Sequence, residues 1–104
     1  MDKTGIVCLC GSLRFKEDFA RIELEWVLRK CIVLTPCLMY SDIGRTADMQ
    51  HYKNIVDEIH KRKIDLADIV YIINKNGYIG ESTRNEIEYA KSQNKMVVYM
   101  EVTV

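Results

Sequence analysis

The chain has 104 residues, 48% of them hydrophobic and 29% charged, with 15 basic residues against 15 acidic ones. That is enough for a single domain spanning residues 1–104 with its own core, and surface remains for a partner subunit. The zero net charge and the lack of a long basic run leave no electrostatic footprint for duplex nucleic acid and no patch for an anionic membrane; a small anion at a helix N-terminus stays possible.

Residues 5–10, Gly-Ile-Val-Cys-Leu-Cys, form a continuous apolar run, the pattern of a strand buried on both faces, and Gly11-Ser12 end it. From Lys16 to Lys30, Phe19, Ile22, Trp26 and Val27 recur at helical spacing between Arg and Glu, which predicts an amphipathic crossover helix. A second apolar run, Cys31 to Leu34, stops at Thr35-Pro36, because proline ends strand pairing. The stretch from Cys37 to Met49 is weakly periodic and reads as a long loop. It contains Ser41, Asp42, Gly44 and Asp48, and Met39, Tyr40 and Ile43 would anchor it as a lid over a ligand site.

Tyr52, Ile55, Val56, Ile59 and Leu66 mark a helix from His51 to Leu66, and Ile69 to Ile73 is a third buried strand. A glycine-bearing loop leads to a helix from Thr83 to Ser92, and Met96 to Met100 forms a fourth strand. Alternating strands and helices predict a parallel sheet with helices on both faces, an α/β flavodoxin-like three-layer sandwich of four to five strands in the order 2-1-3-4. In that order the topological switch falls between strands one and three, which brings Gly11-Ser12 and the segment Gly80 to Glu86 to one crevice.

Cys8, Cys10, Cys31 and Cys37 lack C-x-x-C spacing, and no further Cys or His stands near them in the sequence. They read as reduced core residues, and no metal site or other cofactor is expected. No signal peptide or membrane span is expected either, and a cytoplasmic location follows by default.

The most informative segment is Asn76 to Ala90, where glycines, hydroxyls and carboxylates join an apolar strand to a helix. Gly77 and Gly80 permit close approach of backbone to ligand, while Ser82 and Thr83 offer hydroxyls and free N–H groups at a helix start, a set suited to a sugar or phosphate. Gly11-Ser12-Leu13-Arg14 offers the same chemistry after the first strand, with Arg14 adding charge; the alternative is a tight turn with a capping serine. Glu86 also has two readings. It completes a capping box with Thr83, or it stands ionised at the crevice as a nucleophile or stabiliser for an anomeric carbon. Asp57, His60, Asp65 and Asp68 cluster around the second helix, where His60 could donate a proton near neutral pH. Tyr40 and Tyr78 could stack on a base.

With these residues in place, the whole chain resembles the nucleoside 2-deoxyribosyltransferase superfamily, which includes 2′-deoxynucleoside 5′-monophosphate N-glycosidases. Cys10-Gly11-Ser12-Leu13-Arg14 is similar to that family's phosphate or sugar loop, Ile64 to Val70 to its Ala-Asp junction, and Gly80 to Ala90 to the segment bearing its catalytic glutamate. The resemblance implies Glu86 as nucleophile, a nucleoside or nucleotide as ligand, and neighbouring subunits completing the site in a homodimer or higher homo-oligomer. Where the family carries an aspartate, this chain has Ile59 and His60, so either His60 takes over proton transfer or the helix presents Asp57 or Asp65 instead.

Overall fold

A computed structural model describes residues 5–42 and 48–102. Its regular elements are β1 (Ile6–Gly11), α1 (Lys16–Leu28), β2 (Ile32–Leu34), α2 (Met49–Leu66), β3 (Ile69–Ile73), α3 (Glu81–Ser92) and β4 (Met96–Tyr99). The four strands pair in the order β2-β1-β3-β4, all parallel, which is the order the alternation predicts. Val7 of β1 pairs with Val33 on one side and Ile69 on the other.

The period of two along β1 divides the core between the two faces. Cys8 and Cys10 pack with Ile64 and Ala67 at the end of α2, Val70 and Ile72 of β3, and Ile87 and Ala90 of α3. Val7 and Leu9 face the other way, against Phe19 and Ile22 of α1 and Ile73 of β3. One face therefore carries α1 and the other carries α2 and α3, the three layers of an α/β sandwich. All four inner residues of β1 are fully buried, as a strand between two helical layers requires.

The helix ends explain why α1 and α3 stop where they do. Lys30 and Asn94 both take left-handed φ, 68° and 61°. In each case the next N–H reaches back to the helix, Cys31 to the Trp26 carbonyl at 3.2 Å and Lys95 to the Ala90 carbonyl at 3.0 Å. These are Schellman ends, which satisfy carbonyls that would otherwise be orphaned.

Three expectations need correction. The helix bearing Glu86 begins at Glu81 with Gly80 as its N-cap, two residues earlier than the Thr83 start read from the sequence. α2 likewise begins at Met49, two residues before the His51 start read from the sequence. The stretch after Pro36 is not wholly a loop: Leu38–Asp42 forms a 3-10 turn, Tyr40 lines the crevice, and Met39 is exposed rather than an apolar anchor. Ile43 and Gly44, the other expected parts of a lid, lie outside the described residues. Among the described residues no helix is long and apolar enough to cross a membrane.

Candidate functional site

The crevice opens at the carboxyl ends of β1 and β3. At Gly11 a Cβ would lie 2.9 Å from the Ile73 carbonyl oxygen and 3.1 Å from Ile73 Cβ, so the two strands approach here as only glycine allows. The chain then turns through a short 3-10 helix capped by Ser12, whose Oγ accepts the Arg14 N–H at 3.2 Å. On the β3 side, Asn74 is fully buried and holds the segment beyond β4, accepting from the Glu101 N–H at 2.8 Å and donating to the Glu101 carbonyl at 3.0 Å. Asn76 and Gly77 take left-handed φ and swing the chain outward, and Tyr78-Ile79-Gly80 then run to the start of α3.

Between these loops lies a cavity of about 300 Å³. Gly11, Ser12 and Leu13 form one wall, Tyr78 and Gly80 to Thr83 another, and Lys53, Val56, Asp57 and His60 of α2 a third. Pro36, Cys37 and Tyr40 close the far side, and Glu86 sits within. A smaller recess of about 100 Å³ adjoins it, sharing Lys53, Asp57, Ser82 and Glu86 and adding Lys61 and Asn85. No side chain caps α3, and Gly80 contributes only its carbonyl, to the Arg84 N–H at 2.9 Å. The first turn of α3 thus borders the cavity with backbone donors that no side-chain cap uses.

The earlier helix start excludes the capping-box reading of Glu86. Glu81, Ser82 and Thr83 occupy the first three helical positions, so Thr83 is not the N-cap and Glu86 lies too far along the helix to reach back to it. Thr83 is instead buried, and the carboxylate of Glu86 turns toward α2, with Oε1 3.7 Å from His60 Nε2. The Glu86 side chain is 18% exposed and that of His60 4%. Burial raises the pKa of Glu86, against the attraction of His60 and a hydrogen bond from Cys10. His60 is lowered by burial, but the Cys8 sulfur and the Glu86 charge outweigh this and its pKa moves up.

Beneath this pair the sequence reading changes most. His60 Nε2 lies 3.2 Å from Cys10 Sγ and 3.8 Å from Cys8 Sγ. A hydrogen bond from Cys10, stronger than the opposing cost of burial, together with the neighbouring His60, brings the Cys8 thiol down to about 6. The Cys10 thiol moves well up, because it donates to Cys8 and is buried beside Glu86. The fold brings His60 beside the two cysteines from 50 residues beyond Cys10 in the sequence. A signal for it exists in the sequence: Val56, His60 and Ile64 stand four apart, which puts His60 on the inward stripe of α2.

The remaining predicted residues divide. Gly11, Ser12, Tyr78, Gly80, Ser82 and Thr83 all border the cavity with Glu86 and His60. Arg14 does not; its guanidinium lies 4.0 Å over the Tyr78 ring and donates to the Tyr78 hydroxyl at 3.2 Å, on the outer side of the wall. Asp65 is not brought to the crevice. It accepts from the Tyr89 hydroxyl at 2.7 Å, and the carbonyl of the same residue accepts from Lys95, at the end of α2 remote from the cavity. Asp57, two turns earlier, takes the place on the cavity wall and pairs with Lys53 at 2.7 Å. Lys53 is the one cation on that wall that the sequence reading did not single out.

No protein-family model matches the chain, and comparison with curated proteins finds no match.

Proposed function

We propose that the crevice binds a nucleoside or nucleoside 5′-monophosphate and cleaves, or transfers through, its N-glycosidic bond. The supporting observation is Glu86: a largely buried carboxylate inside the cavity, with no capping duty, beside an imidazole. The resemblance of Cys10 to Arg14, Ile64 to Val70 and Gly80 to Ala90 to the nucleoside 2-deoxyribosyltransferase superfamily names the substrate class. In this reading a Glu86 oxygen bonds to C1′ as the bond from C1′ to the base nitrogen breaks, and the carboxylate stabilises the oxocarbenium-like charge between them. Asp57 is the carboxyl group on the wall; in its protonated form it gives its proton to the leaving base and later takes one back from the attacking water or base, while His60 holds Glu86 in position. Water, or the nitrogen of a second base, then attacks C1′ and releases Glu86. Gly11, Ser12, Ser82 and Thr83 hold the sugar or phosphate, Tyr40 and Tyr78 flank the base, and a second subunit completes the assembly.

A binding or sensing module without chemistry is the alternative, and the remoteness of Asp65 favours it. Glu86→Gln separates the two. Gln keeps the size of the side chain but lacks the anionic oxygen, so base release falls by about two orders of magnitude or more while the melting temperature hardly moves. A wild-type protein that is thermally stabilised by a deoxynucleoside monophosphate yet releases no base supports the module instead. Unchanged activity in a stable Glu86→Gln variant overturns the catalytic role.

A further inference from the structure

Cys8, Cys10 and His60 meet beside Glu86 in a way that sugar binding does not explain. Cys8 and Cys10 are two residues apart on β1, so both thiols leave the sheet on the face that α2 covers. Both residues are completely buried, and His60 is 3% exposed. The two sulfurs and one imidazole nitrogen all lie within 4.8 Å of one another. The closest approaches to His60 Nε2 are 3.2 Å from Cys10 Sγ, 3.8 Å from Cys8 Sγ and 3.7 Å from Glu86 Oε1.

Those distances have the size of a metal coordination shell. A tetrahedral zinc ion holds sulfur at about 2.3 Å and nitrogen or oxygen at about 2.0–2.2 Å, so neighbouring ligand atoms stand about 3.4–3.8 Å apart. An imidazole nitrogen has one proton or one lone pair to offer, so His60 Nε2 hydrogen-bonds only one of the three groups around it. A cation satisfies all of them.

We propose that Cys8 Sγ, Cys10 Sγ and His60 Nε2 bind a thiophilic divalent cation of the zinc class, with Glu86 Oε1 as fourth ligand. Two thiolates and an imidazole select zinc-like ions over magnesium or calcium, which take oxygen ligands. The site is built from three elements: β1 supplies both sulfurs, α2 the nitrogen and α3 the carboxylate. An ion here engages Glu86 and His60, so ion binding and N-glycosidic chemistry compete for the same carboxylate. The proposal does not rest on that chemistry, since binding is read without any nucleotide.

The test is a Co²⁺ titration of the reduced, chelator-treated full chain, followed by absorption. The expected result is an equimolar complex with sulfur-to-cobalt charge transfer in the near ultraviolet and the intense visible bands of tetrahedral cobalt, both abolished by Zn²⁺. Because Cys8→Ser and Cys10→Ser change buried core residues and can fail to fold, the deciding variant is Cys31→Ser/Cys37→Ser, which changes one half-buried and one exposed residue and no fully buried one. Charge transfer that persists there at full strength assigns the sulfurs to Cys8 and Cys10. Loss of the band in that variant, or no band at all in the folded wild-type chain, overturns the proposal.

Discussion

Gly11 stands where a methyl group has no room: the Ile73 carbonyl, Ile73 Cβ and the Phe19 ring would all lie within 3.3 Å of it. Gly11→Ala is expected to cost about 1–3 kcal/mol, as overpacking of a rigid contact does, and to shift the wall that carries Ser12. Thermal or urea unfolding measures it. Arg14 makes the opposite kind of prediction. It is exposed and rests on Tyr78, so Arg14→Ala leaves stability nearly unchanged. If Arg14 serves a phosphate, the same variant weakens a nucleoside monophosphate far more than the matching nucleoside; equal weakening of both removes that role. At this scale the glycines and hydroxyls of the crevice were legible in the sequence because their chemistry is local. Glu86 was ambiguous because Thr83-x-x-Glu86 also spells a capping box, and only the helix start at Glu81 excludes it. The grouping of His60 with Cys8 and Cys10 was hidden because it depends on how α2 lies across β1.

The helices were legible from periodicity, but their ends were less so. α2 begins at Met49 and α3 at Glu81, each two residues before the start read from the sequence, because helix ends carry less of the apolar pattern than helix interiors. The Schellman ends carry a prediction. Lys30 holds a left-handed φ of 68° that a lysine side chain disfavours, whereas Asn94 tolerates the same conformation. Lys30→Gly is expected to stabilise the fold by up to about 1 kcal/mol, read as a raised unfolding midpoint, and an unchanged or lowered midpoint contradicts this reading of the α1 end. Asn74 acts at the scale of elements too, since its amide holds Glu101 by paired hydrogen bonds beyond the last strand. Asn74→Ala leaves a buried N–H and carbonyl without their partner, at a cost of about 1–3 kcal/mol in the same measurement.

At the scale of the molecule, strand order followed from the alternation of elements, because parallel strands joined by helices admit few arrangements. Assembly was not legible in that way. Among the exposed apolar side chains, two groups stand on helices, Leu24, Val27 and Leu28 of α1, and Tyr52, Ile55 and Ile59 of α2. The α2 group shares its helix with Lys53, Asp57 and His60, so a subunit seated there would border the crevice. The proposed shared site predicts a dimer or larger species by light scattering at micromolar concentration, and a strict monomer removes it. The central claim, cleavage at C1′ by Glu86, is tested most directly by incubating the wild-type chain at high concentration with deoxynucleosides, their 5′-monophosphates and free bases, and separating the products by chromatography. Released or exchanged base from at least one member of the panel is the expected result. Intact substrate throughout, in protein shown to be folded and to bind a nucleotide, contradicts it.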